Sequence, residues 1–276
     1  MMLTFVNVIW GARCGKTARR VLLGETRTRG HAYSVRRRRE SACDRKAPHR
    51  LKSSRLVSTN LFDLWADVWR RKAAKGDVII VRYADDLVLG FQLRADAMRF
   101  LEEFKERLAK FGLELHPEKT RLIEFGRYAA RDRQQRGAGK PETFNFLGFT
   151  HYCGRRHKTD TFTVWRITAK KRMVAKLKAI KLELRRRMHA RPSEVGAWLR
   201  KVVNGYYQYH AVPGNTRQLS TFRQRINRLW YQVLARRSQR ACKTWEALTP
   251  LFERWIPRPK VLHPYPQARF YATHPS

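Results

Sequence analysis

Apolar residues along this chain change their spacing several times, and each change predicts an element. Leu61, Leu64, Trp65, Val68 and Trp69 recur at intervals of three and four, which predicts a helix ended by the break Lys75-Gly76-Asp77. Two short apolar runs follow, Val78-Ile79-Ile80-Val81-Arg82 and Leu87-Val88-Leu89-Gly90-Phe91, and read as buried strands joined by the turn Tyr83-Ala84-Asp85-Asp86. Ala97, Leu101, Phe104, Leu108 and Phe111 return to helical spacing with Gly112 as the stop, so this helix should pack on the sheet. Leu113 with Leu115, and Leu122 with Ile123 and Phe125, read as strands around His116-Pro117, and 126–140 as a polar loop. Phe144 to Thr150 alternates like a strand.

After Trp165 the period becomes that of a helix bundle. Met173, Leu177, Ile180, Leu184 and Met188 predict one amphipathic helix, Trp198, Val202 and Tyr206 a second, and Leu219, Phe222, Ile226, Leu229 and Val233 a third, with Pro192 and Pro213 in the linkers. The tail carries Pro257, Pro259, Pro264, Pro266 and Pro275 and is expected to run extended. Residues 1 to about 58 show no sustained period and are expected to lack a stable core.

Charge sharpens this picture. The chain of 276 residues has a formal net charge of +38, a surplus that implies a polyanionic partner, RNA or DNA by default. Residues 77–150 hold 13 basic and 12 acidic side chains, whereas 166–240 hold 20 and 2. The hairpin segment is therefore near neutral, and the helical segment is the expected nucleic-acid grip. A 43% hydrophobic content with eight Trp and fourteen Phe is ample for a core. Cys14, Cys43, Cys153 and Cys242 form no CxxC pair, which leaves zinc ribbons and redox motifs unsupported. Gly11 to Thr17 imitates a phosphate loop, but its glycines are one residue too close. No run approaches the ~18 apolar residues of a membrane span, and Met2 to Trp10 lacks the basic lead of a signal peptide. A cytoplasmic protein without membrane partners is expected.

The adjacent carboxylates Asp85 and Asp86 are the chemistry-bearing feature. Two anions at the tip of a buried hairpin repel unless a cation sits between them, and Mg²⁺ commonly binds one or two carboxylates beside a substrate phosphate. An Asp-Asp turn held by local hydrogen bonds is the plain alternative.

The YADD turn Tyr83 to Asp86 resembles the active-site hairpin of reverse transcriptases. Phe62-Asp63-Leu64-Trp65, the segment Gly112 to Thr120, Phe144 to Phe149 and Gly205 to His210 extend the likeness to the group II intron-encoded reverse transcriptase/maturase family, from about Leu61 to the C-terminus. Residues 1–58 show no such likeness. The resemblance implies an α+β fold: a partial reverse-transcriptase palm, antiparallel hairpin plus helix, over 59–150, followed by a connector over 151–165. An α-helical thumb/maturase domain over 166–242 and a C-terminal helix with a Pro-rich tail over 243–276 complete it. It implies that Asp85 and Asp86 hold catalytic Mg²⁺, that Tyr83 and Ala84 lie under the primer end and nucleotide, and that Phe146, Leu147 and Gly148 grip the primer. A core strand is the alternative for that last segment.

Lys119 would face the triphosphate, with a solvated turn lysine as the alternative. For RNA binding the candidates are Lys170, Lys171, Arg172, Lys176, Arg185, Arg186 and Arg187 with Tyr207, Tyr209 and His210, cations for phosphates and rings for unpaired bases. Helical phase predicts Tyr206 inside, with Tyr207 or Tyr209 more available.

The family pattern also has fingers and an earlier strand with another metal-binding aspartate. Here Asp44, Asp63 and Asp67 are the only aspartates before Asp77, and none lies in an apolar strand. The expectation is a truncated copy with impaired polymerase activity that binds group II intron RNA and a DNA primer or target. Two alternatives stand beside it: a non-catalytic RNA-binding splicing cofactor, and a nonfunctional remnant. The absence of a Cys/His-rich segment after residue 243 argues against DNA cleavage.

Overall fold

The computed structural model describes residues 2–3, 5–10, 53–83, 86–156, 159–237 and 244–265, with the backbone alone described for 2–10 and 53–61. Among these residues it forms two compact units, 1–129 and 130–276. The sequence-predicted sites at Ala84 and Asp85 lie outside the described residues.

In the first unit the elements are β1 (Met2–Leu3), β2 (Phe5–Trp10), α1 (Ser53–Lys72), β3 (Val78–Tyr83), β4 (Asp86–Phe91), α2 (Arg94–Ala109), β5 (Glu114–Leu115), β6 (Thr120–Glu124) and the start of α3 (Ala129–Gln135). The main sheet has the order β3-β4-β2-β6. β3 and β4 form the expected antiparallel hairpin, Val81 opposite Val88 and Tyr83 opposite Asp86. One face of it is covered by helices. Phe62, Ala66 and Trp69 of α1 and Ala97, Phe100, Phe104 and Leu108 of α2 close over Val78, Leu87, Leu89 and Phe91 as one buried cluster. The rings interlock edge to face, Trp69 on Phe100 at 4.9 Å and Phe62 on Phe104 at 5.1 Å, an arrangement favoured by the ring quadrupoles. Trp69 donates its indole N–H to Glu103 at 2.7 Å, so the buried ring keeps its polar atom satisfied.

The sequence reading of residues 1–58 as coreless is corrected in part. Phe5–Trp10 is an internal strand, parallel to β4 on one side and to β6 on the other, and α1 begins at Ser53. Phe5, Val6, Val8, Ile9 and Trp10 are good strand formers, but a single short run does not reveal that its partners lie more than seventy residues away.

The second unit contains a three-stranded antiparallel sheet, β7 (Phe144–Phe146), β8 (Phe149–Arg155) and β9 (Phe162–Thr168). Four helices follow: α4 (Lys170–Arg186), α5 (Pro192–His210), α6 (Thr216–Ala235) and α7 (Trp245–Trp255). The 126–140 loop includes a short helix, α3, and the connector 151–165 is instead most of β8 and β9. β9 is half-buried along most of its length, so it carries no clean apolar alternation and reads as linker. The helical core joins Met173, Leu177, Ile180 and Leu184 to Leu199, Val203, Tyr206 and Tyr207, and these to Leu219, Phe222, Ile226 and Trp230, with Phe252 of α7 packed on Trp230. On α5 the buried stripe runs through Val195, Leu199 and Val203, one position away from the expected Trp198 and Val202. Gly196 lies on the same buried side, where the ring of Trp255 occupies the space a side chain would take.

Candidate nucleic-acid site

The first unit gathers three of the expected residues at one end of its sheet. Tyr83 closes β3 and Asp86 opens β4, paired across the hairpin; Tyr83 is 58% exposed. Phe5 of β2 is in register with Asp86, and Val6 with Thr120 of β6. Lys119, which precedes Thr120, therefore stands two strand spacings from Asp86, roughly 10 Å in backbone terms. Its turn is tied by the N–H groups of Lys119 and Thr120, both donating to the His116 carbonyl at 3.2 and 3.0 Å.

Strand alternation separates Asp63 from this end. Ile80 and Leu89 pair on the face covered by α1 and α2, and Arg82 with Leu87 continues that row. On that face Arg82 donates to Asp63 of α1 at 2.7 Å. Tyr83 and Asp86 belong to the other row of the pleat. Asp63 thus neutralises Arg82 across the sheet from Asp86. β2, the strand beside Asp86, has the sequence Phe-Val-Asn-Val-Ile-Trp and contains no acidic residue. Among the described residues no three His, Cys, Asp or Glu side chains come close enough to hold a metal. Asp86, at a partly exposed turn, suits an ion that keeps most of its waters and shares a substrate phosphate, the habit of Mg²⁺.

In the second unit, Phe146 and Phe149 end the paired strands β7 and β8, and Leu147-Gly148 is the two-residue turn between them. Both turn residues have positive φ, 47° for Leu147 and 79° for Gly148, the combination of a hairpin turn whose twist matches its strands. For a leucine this conformation is costly. The turn is held from outside: Tyr209 donates its hydroxyl to the Leu147 carbonyl at 2.6 Å, and the Ala169 N–H donates to the Gly148 carbonyl at 2.9 Å. Phe146 is buried, so of this segment Leu147 and Gly148 are the parts within reach of a ligand.

The cations of α4 are where the periodicity puts them. Lys170, Lys171, Arg172, Lys176, Arg185 and Arg186 are exposed while Met173, Leu177, Ile180 and Leu184 face the core. Glu183 is the one acidic residue in the helix. Arg187 is partly engaged, bonded to Glu183 at 2.7 Å and lying over the Trp198 ring at 5.1 Å.

Two of the expected RNA-binding rings are corrected. Tyr207 is 4% exposed and His210 8%, which removes both from base stacking. The Tyr207 hydroxyl donates to the Pro257 carbonyl at 3.3 Å, and burial raises its pKa to about 12. Tyr206 is buried as expected, stacked on Phe222 at 3.8 Å, and burial likewise raises it to about 12. The His210 ring lies among Phe149, Tyr206 and Tyr209, where burial, aided by the Arg172 charge, lowers its pKa to about 4. Tyr209 remains 52% exposed.

Asn215 carries no sequence signal of its role. Fully buried, it donates to Thr168 Oγ1 at 2.8 Å and to the His210 carbonyl at 2.7 Å, and accepts from the Thr168 N–H at 3.0 Å. It fastens the end of β9 to the end of α5 and so fixes where α4 starts. An asparagine after Pro-Gly reads as a turn residue, which hides this role.

No helix among the described residues is long and apolar enough to cross a membrane. No curated relative matches the chain. Over residues 36–151, which begin ahead of the likeness seen in the sequence and take in the YADD hairpin, α2, Lys119 and the β7–β8 turn, the chain matches the reverse transcriptase (RNA-dependent DNA polymerase) family model.

Proposed function

We propose that this chain acts as a group II intron-encoded reverse transcriptase/maturase, whose basic helical unit binds folded intron RNA and supports its splicing. The observation that carries the proposal is α4. Its exposed side presents Lys170, Lys171, Arg172, Lys176, Arg185 and Arg186 against the single acidic Glu183. A row of cations so poorly matched within the protein is matched by phosphates. The reverse transcriptase match over residues 36–151 supports a nucleic acid as that polyanion, with RNA as template and DNA as primer or target strand.

At the hairpin, Asp85 and Asp86 would hold Mg²⁺, which when bound neutralises phosphate charge. Tyr83 and Ala84 would support the primer end, and Lys119 would meet the triphosphate from the same end of the sheet. Phe146, Leu147 and Gly148 would serve as the primer grip. A non-catalytic RNA-binding cofactor is the second reading, favoured by β2. The strand next to Asp86 offers no carboxylate, and Asp63 is tied to Arg82 on the other face. Two metal ions flanking a transferring phosphoryl group need more ligands than that.

The two readings separate in a paired assay of primer extension on an RNA template with Mg²⁺ and filter binding to group II intron RNA, using the wild type and Asp85→Ala and Asp86→Ala variants. Binding unchanged by either substitution, together with preference for intron RNA over an unrelated structured RNA, supports the maturase reading. Extension abolished by the substitutions adds the polymerase. Absence of RNA binding would end both readings.

A further inference from the structure

Pro257, Pro259 and Pro264 keep the chain beyond α7 out of a helix, and residues 257–265 cross the second unit as a strap without regular secondary structure. The root of the strap is firmly held. Arg223 of α6 donates from Nε and Nη2 to the Ile256 carbonyl, both at 3.2 Å, and from Nη2 to Glu253 at 2.9 Å. Further along, the N–H groups of Leu262 and His263 donate to the Ala211 carbonyl at 2.9 and 3.3 Å, and His263 Nε2 donates to the Gln208 carbonyl at 2.7 Å. At the far end Arg156, which follows β8, lies over the Tyr265 ring at 5.9 Å.

These carbonyls belong to the end of α5, where a helix has no N–H groups of its own left to offer. The Tyr207 carbonyl accepts the Ala211 N–H, and the His210 carbonyl accepts the Val212 N–H and the Asn215 amide. Gln208 and Ala211 take their donors from the strap. Ile256 is fully buried, whereas Val261, Leu262 and Tyr265 are 47%, 49% and 58% exposed. A segment held by surface hydrogen bonds with little apolar burial opens at a lower free energy than the core beneath it.

Between the two carbonyls that the strap engages stands Tyr209, whose hydroxyl donates to the Leu147 carbonyl at 2.6 Å. Leu147 has a φ of 47°, a conformation that a leucine keeps only with support from its surroundings. The backbone of Tyr209 is thus bracketed by the strap, and its side chain braces the β7–β8 turn.

We propose that residues 257–265 form a conformational latch. Seated on α5, the strap fixes the last turn of that helix and, through Tyr209, the Leu147-Gly148 turn; lifted, it lets both loosen while the helical core stays folded. The coupling is reciprocal, so whatever fixes the turn also holds the strap down.

The test is hydrogen exchange on the full chain, read by mass spectrometry in peptides covering 144–150, 206–212, 257–265 and, in the α6 core, 219–230. Leu262→Pro with His263→Ala removes the Leu262 N–H and the imidazole donor. The latch predicts exchange about tenfold faster in 257–265, 206–212 and 144–150, with 219–230 unchanged. Leu262→Ser, which keeps the backbone donor, should exchange like wild type. Tyr209→Phe cuts the link: 144–150 should exchange faster, and the strap substitutions should add nothing further to that peptide in the Tyr209→Phe background. Exchange in 144–150 that is unchanged when the strap is unfastened, or that rises as much with Tyr209→Phe present as without it, overturns the latch. Acceleration that includes 219–230 also overturns it, because the strap would then belong to the cooperative core and could not open alone.

Discussion

His210 makes the helical unit sensitive to mild acid, and the effect is large enough to measure. In the folded protein its ring is enclosed by Phe149 of β8 and by Tyr206 and Tyr209 of its own helix, with Arg172 of α4 as the charged neighbour, and its pKa falls from 6.5 to about 4. The unfolded chain takes up the proton below pH 6.5, whereas the folded chain resists it until about pH 4. Stability is therefore complete above pH 6.5 and is lost as pH falls through that interval. The whole interval corresponds to about 3 kcal/mol, of which about 2 kcal/mol is lost between pH 7 and pH 5. Urea unfolding followed by circular dichroism, which is dominated by the helices, should show the midpoint fall by about 1 M between those pH values. Other histidines titrate in the same range, so the informative comparison is with His210→Phe, which fills the site with an uncharged ring and should flatten the dependence. A wild-type midpoint equal at pH 7 and pH 5, or a His210→Phe protein as pH-sensitive as wild type, would refute the reasoning.

Two further substitutions test the architecture. Gly154→Ala would place a Cβ 2.6 Å from Cδ1 of the Trp165 indole, and overpacking of this kind should cost about 1–3 kcal/mol, visible as a lower urea midpoint with an unchanged helical spectrum. Val8→Pro removes a donor from an internal strand that pairs on both sides, and should destabilise the first unit by about 2 kcal/mol. Hydrogen exchange of β4 and β6 peptides would accelerate if Phe5–Trp10 is their central partner and would be unaffected if it is not.

What the sequence displayed and what it hid follow from the range of the interactions involved. The hairpin, α2, α4 and α6 were legible because each repeats its own period over many residues, and one buried face suffices to hold it. β2 was not, since its place depends on β4 and β6, remote in sequence. Most of β8 and β9 resembles a connector in sequence because partial burial on both faces blurs the alternation a strand should show. At the candidate site, cation exposure on α4 followed directly from helical phase, whereas the tyrosines of α5 did not. Phase puts Tyr206 inside and leaves Tyr207 or Tyr209 more available; only Tyr209 is exposed, because the chain beyond α7 returns to the Tyr207 side, so that Pro257 accepts the Tyr207 hydroxyl and Ala211 accepts the Leu262 N–H at 2.9 Å. Asp63 does approach the hairpin, yet it meets Arg82 on the opposite face, a distinction that only strand register reveals.

The central claim is that the exposed cations of α4 carry RNA binding independently of the hairpin carboxylates. Its most direct test is the salt dependence of binding to a structured intron RNA, measured for wild type, for Asp86→Ala and for a variant with Lys171, Lys176 and Arg185 all changed to Gln. The account predicts a steep slope for wild type, the same slope and affinity for Asp86→Ala, and a slope flatter by about 2–3 with weaker binding for the triple variant. A triple variant that binds like wild type, or binding abolished by Asp86→Ala alone, would contradict it.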